Sequence, residues 1–170
     1  MTRRDLIQKW LTYGCGLLPI WLLDAYILPR YPVFGVSPML LPLAAAAVAV
    51  LEGAYAGTGF GLVVGLLWEL AYPGGFGALV ITMAVAGMVF GAVSQYALSQ
   101  SFPTYFICSG GMLIFLDGAR IFRGLLTDMA ALPALLRVAA PEILLSLLWS
   151  PLVWLLFQRV YRKVGGTRLA

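Results

Sequence analysis

The sequence predicts an all-α integral membrane protein: a single transmembrane domain over residues 1–170, built as a compact bundle of about six transmembrane helices. Three observations carry that expectation. The chain is 62% hydrophobic and 11% charged, where soluble domains carry about 25% charged residues. Its apolar residues fall into six runs divided by Pro, Gly and charged clusters. Gly53, Gly57, Gly61 and Gly65 recur at every fourth position, and Glu69 falls on the next step. Residues four apart stack on one helix face. In water, each interior glycine would cost a helix ~1 kcal/mol relative to Ala. In a bilayer the backbone must bond internally, and a glycine face admits a neighbouring helix closely. The segment therefore reads as a membrane helix gripped by its neighbours, with Glu69 a buried carboxylate facing protein rather than lipid.

Taken in order, the chain opens with a short basic head, Arg3, Arg4 and Lys9 against Asp5, before the first apolar run, 10–28. No small-x-small cleavage site follows this run and Asp24 interrupts it, so it reads as a retained helix rather than a signal peptide. Asp24 is expected at the interface, in reach of water or Arg30. Pro29 to Pro32 forms a loop with interfacial aromatics. The second run, 36–51, is short and alanine-rich, with Pro38 near its start, Pro42 one turn in, and a small-xxx-small pair at Ala45 and Ala49. Glu52 and Gly53 turn it into the glycine helix, 54–72, which Pro73, Gly74 and Gly75 break. The fourth run, 77–98, carries a second small pair, Gly87 and Gly91, and ends in serines and glutamines. Pro103 opens the fifth, 103–122, where Asp117 and Arg120 are three apart and so at pairing distance. Residues 125–136 are too short to span and read as interfacial or loop. Pro141 and Glu142 read as the start of the sixth run, 141–158: proline in the first turn and a carboxylate at the positive end of the dipole. The five tryptophans read mostly as interfacial anchors.

Six spans put both termini on one side, and the positive-inside rule makes that side the cytoplasm. The net charge of +4 is met by lipid headgroups and does not suggest nucleic acid. The chain has no His, its Cys15 and Cys108 lie apart in apolar runs, and no serine has a base to serve it. The expectation is a non-enzymatic protein with no cofactor, no metal and no catalytic residue. Glu69 is the one intramembrane carboxylate singled out. Its readings are a structural hydrogen bond, a ligand contact or a proton site.

The run from Gly57 through Gly59, Phe60, Gly61 and Gly65 to Leu66-Leu67-Trp68-Glu69, followed by Pro73-Gly74-Gly75-Phe76-Gly77, resembles the central stretch of the rod shape-determining protein MreD family. The resemblance covers roughly residues 36–95, and Glu69 stands where the family usually has Asp. Length, basic termini and Pro38 are similar as well. The resemblance implies a scaffold of the bacterial cell-wall elongation machinery in the cytoplasmic membrane. It would bind MreC and, through it, link MreB filaments to peptidoglycan synthases. On that reading Gly53, Gly57, Gly61, Gly65, Gly87 and Gly91 form a packing ridge. Pro73, Gly74, Gly75, Arg120, Arg123 and Arg137 are candidate partner contacts. The rival expectation is the substrate-binding S component of an energy-coupling-factor vitamin transporter, similar in size and helix count. The Ala-xxx-Ala pattern usual on the first helix of that family is missing between Trp10 and Leu28. A small proton-coupled exporter is a third reading, resting on Glu69 and Asp117.

Overall fold

The computed structural model describes residues 3–31, 35–71, 77–96, 100–126 and 132–164. They form an all-α bundle. The first helix, α1, spans Arg3–Leu22 and continues through a π turn, Leu23–Ile27, into a single 3-10 turn, Leu28–Arg30. Then come α2 (Leu40–Glu52), α3 (Ala54–Ala71), α4 (Ala78–Tyr96), α5 (Phe102–Leu126) and α6 (Leu132–Lys163). All but α2 are long and apolar enough to cross a membrane. Each buries about a third of its most apolar window and turns large apolar side chains outward, among them Leu70, Ile81, Ile114, Leu144 and Leu148. Apolar surface on that scale suits lipid rather than water. The chain is a multi-pass membrane protein.

The second segment departs from expectation. It begins at Leu40, not residue 36, and has 13 residues. At 1.5 Å per residue it is ~20 Å long, short of the ~30 Å of hydrocarbon. Every one of its residues is buried, and it packs on all five other helices. Four consecutive alanines, Ala44 to Ala47, explain how so many neighbours fit around it. α2 is the axis of the bundle rather than one of its walls.

The last segment departs in the other direction. α6 runs for 32 residues, and Pro141 lies inside it rather than opening it. Pro133, in the first turn, takes the place expected of Pro141. Residues 125–136, expected in the interface or a loop, divide between the end of α5 and the start of α6, with 127–131 outside the described residues. Pro141 and Pro151 each remove one backbone donor. Membrane helices tolerate this where neighbours supply replacement bonds.

The glycines Gly57, Gly61 and Gly65 of α3 lie against α4. The two helices meet backbone to backbone. A Cβ on Gly61 would lie 2.5 Å from the Met83 carbonyl oxygen, and one on Gly65 would lie 2.6 Å from Val80 Cα. Gly57 faces Gly87 and Ala49 in the same way, and Gly91 comes against Ala54. Gly53 turns the chain from α2 into α3 with φ +93°, a value that L side chains rarely adopt. Tyr13 stacks on Phe157, which brings the start of α1 against the end of α6. The start of α1 and the end of α6 therefore lie at the end of the bundle where α2 finishes.

Candidate functional site

A buried helix that ends inside a bundle must satisfy its terminal backbone groups without water. Among the described residues, the buried charged side chains gather in two clusters, one at each tip of α2.

At the Leu40 tip, α2 lacks a cap of its own, because Met39 occupies the N-cap position and makes no side-chain bond there. Other elements supply it. Met39 N–H donates to Ser146 Oγ on α6 at 2.8 Å, and Leu40 N–H donates to Asp24 Oδ1 at 3.0 Å. Leu41 N–H also donates to Asp24. Pro42 has no N–H to satisfy. The donors of the first turn are thus fully accounted for. Asp24 lies in the π turn of α1 and is buried, where the sequence suggested an interfacial charge beside Arg30. The π turn carries its carboxyl inward to the helix N-terminus, where the dipole favours a negative group. Beside it, Arg120 Nη1 donates to Asp117 Oδ1 at 3.1 Å and to Glu142 Oε2 at 3.3 Å. The expected Asp117–Arg120 pair is present. Glu142, expected at a helix start, is instead its third member, from well inside α6.

At the Glu52 tip, Lys9 Nζ donates to Glu52 Oε2 at 2.5 Å, and Tyr13 hydroxyl donates to Glu52 Oε1 at 2.8 Å. Lys9 is 1% exposed, so this is a fully desolvated ion pair. Ser94 Oγ donates to the Ala49 carbonyl at 3.3 Å, and Gln100 Nε2 to that of Leu51 at 2.6 Å. Ser94 and Gln100, from the polar end of the fourth run, are thus cap donors for the last turn of α2.

The residues singled out from the sequence fall into three groups. Gly53, Gly57, Gly61, Gly65, Gly87 and Gly91 form the α3–α4 seam and its turn. Glu69 is half-buried rather than buried. Its Oε1 is enclosed without a hydrogen-bond partner among the described residues. The acids that are buried are Asp24, Glu52, Asp117 and Glu142. Arg123 and Arg137 are exposed, while Arg120 is tied into the cluster with its side chain 48% exposed. Pro73, Gly74 and Gly75 lie outside the described residues. Trp154, one of the expected anchors, is in the core, stacked on Tyr105 at 4.9 Å. A groove of about 370 Å³ runs between α1 and α3, lined by Trp10, Gly14, Leu17, Gly59, Phe60 and Val63. Farther along the same two helices, Trp21 Nε1 donates to the Leu67 carbonyl at 3.2 Å.

Sequence reasoning missed Lys9, Asp24, Glu52 and Glu142 as bonded interior groups. The available signal was a single charge at the edge of an apolar run, which in a membrane protein needs a partner. Among the described residues no group of three or more His, Cys, Asp or Glu side chains is placed to hold a metal ion. Compared with protein-family models, curated proteins and solved structures, the chain matches none of them.

Proposed function

We infer that the protein is a non-enzymatic membrane scaffold of the bacterial cell-wall elongation machinery, acting in rod-shape maintenance by binding MreC. The observation that carries this reading is the α3–α4 seam. Its α3 half is the glycine segment that resembles the MreD family, and it packs at backbone contact with α4 over three successive turns. The chain's interior polar groups support it further. Lys9, Glu52, Arg120, Glu142 and Asp24 all engage other elements of the same bundle, which is how a rigid frame is built. On this reading both termini are cytoplasmic, and the tip holding Arg120 faces outward toward MreC. Arg123 and Arg137, exposed cations of that side together with Arg30, carry the contact. Arg120 acts through the frame. Peptidoglycan synthases and MreB are reached through MreC.

The test is detergent extraction of the tagged protein from its native membrane, with co-purifying proteins identified by mass spectrometry. Recovery of MreC is expected, and substitution of Arg123 and Arg137 together with Ala is expected to weaken it. Unchanged MreC recovery with both arginines replaced would remove them from the contact. The S-component reading draws on the α1–α3 groove, whose volume falls at the lower end of small-molecule sites. Recovery of an ATPase pair and a coupling subunit without MreC would establish that reading and overturn the scaffold.

A further inference from the structure

Not every glycine of α3 serves the seam with α4. A Cβ on Gly57, Gly61 or Gly65 would strike a neighbour, whereas one on Gly59 would meet nothing within 4 Å, and the same holds for Gly14 on α1. Gly14 and Gly59 both line the groove between α1 and α3, and their missing side chains keep it open. Gly59 and Val63 are exposed, so the groove faces the lipid. The indole nitrogen of Trp10 is the one polar side-chain atom among the lining residues. A small-molecule site needs several placed donors and acceptors, and these walls do not supply them. They suit hydrocarbon.

Size and charge decide the form of that hydrocarbon. One turn of a helix with its side chains fills roughly 400–600 Å³, more than the 370 Å³ of the groove. α1 and α3 also touch within the groove, where Tyr13 meets Phe60 edge-on at 6.3 Å between ring centroids, and again one turn beyond Leu17 and Val63, where Trp21 bonds the Leu67 carbonyl. A partner helix does not pass between two helices joined in this way, but a linear chain lies along them. The Trp10 end of the groove is the basic end of the bundle. Trp10 packs on Tyr13, Tyr13 stacks on Phe157, and the rest of α6 carries Arg159, Arg162 and Lys163, all exposed. No acid follows Glu142 in α6. Tryptophan marks headgroup level, and clustered cations attract anionic headgroups. We propose that the groove holds one acyl chain of an anionic phospholipid. Its phosphate lies by Arg159, Arg162 and Lys163, and its chain runs past Gly14 and Gly59 toward the bilayer centre. From Trp10 to Leu17 that path covers roughly 10 Å.

This inference does not depend on MreC binding. It is tested on the full chain in vesicles of equal parts phosphatidylglycerol and phosphatidylcholine. One lipid or the other in turn carries a photoactivatable diazirine midway along an acyl chain, and adducts are located by peptide mass spectrometry. Adducts are expected at the lining residues of α1 and α3, well above those at lipid-facing Ile81 of α4 and Ile114 of α5. The anionic lipid should be preferred there by about tenfold. G14L/G59L places two side chains into open space, so it should fold and lose these adducts. R159A/R162A/K163A should keep the adducts and lose the preference for phosphatidylglycerol. Adducts spread evenly over α4 and α5 would show a general lipid annulus only and overturn the site. So would adducts that survive in G14L/G59L, equal labelling by the two lipids, or a cross-linked second copy of the chain at Gly14 and Gly59 in place of lipid. The adduct map is read on the parent chain, so it decides even if the double substitution does not fold.

Discussion

Lys9 and Glu52 meet in the interior, and each is there because of the other. A buried pair earns little net stability over an apolar one of the same shape, but removing one partner strands the other charge at a cost of ~3–5 kcal/mol. Lys9→Met should therefore be severely destabilising, as Glu52 would keep only the Tyr13 hydroxyl. Glu52→Gln removes the carboxylate that Lys9 Nζ meets at 2.5 Å and should be destabilising as well. The double substitution Lys9→Met, Glu52→Gln leaves no charge, and the new amide still accepts from Tyr13. Its cost should be well below the sum of the two singles. Thermal unfolding in detergent, read as a double-mutant cycle, checks this. Strict additivity would mean that the two charges do not interact. The pair was not legible as a pair. Lys9 looks like one more basic residue of the N-terminal head, and nothing local to it or to Glu52 indicates a contact 43 residues away.

At the scale of elements, legibility followed the range of the interaction. The glycine ladder is a local period, and four-residue spacing is enough to state which face packs and how closely. The same geometry gives a sharp expectation. Gly61→Leu drives a side chain into the Met83 carbonyl and should lower stability by at least ~1–3 kcal/mol, the usual range for overpacking. A Cβ on Gly59, two positions earlier, meets nothing within 4 Å, and Gly59→Leu should be tolerated. Unfolding midpoints of the two variants in one detergent make the comparison, and equal losses would show that the seam is not the contact that matters. The length of α2 was not legible, because alanine and leucine satisfy a spanning helix and a buried stub alike. What distinguishes them is the origin of the caps: Asp24 lies 16 residues before Leu40, and Ser146 lies 107 residues beyond Met39. The start of α6 was misplaced for a related reason. Two prolines at 133 and 141 both fit a first turn, and a membrane helix can absorb the later one.

For the molecule as a whole, the contacts of Tyr13 with Phe157 and of Lys9 with Glu52 place the start of α1 and the end of α6 at one end of the bundle. Reporter fusions to the two termini should accordingly report the same side of the membrane, and on the proposed orientation, drawn from the excess of basic residues near them, that side is expected to be the cytoplasm. Reporters on opposite sides would contradict the arrangement of α1 against α6. The hydropathic outline, the all-α class and the helix count were readable from composition and run length. The division into five long helices around a short one was not. That division has a consequence for how the chain is made. During synthesis α2 emerges well before α6, yet one of its first-turn donors waits for Ser146. Until the ribosome has delivered that residue, Met39 keeps an unmet donor among lipid and protein, where an unpaired amide is costly. The final helix thus acts as a completeness check: a chain cut short before Ser146 retains every other cap described here and is still marked as unfinished at its centre.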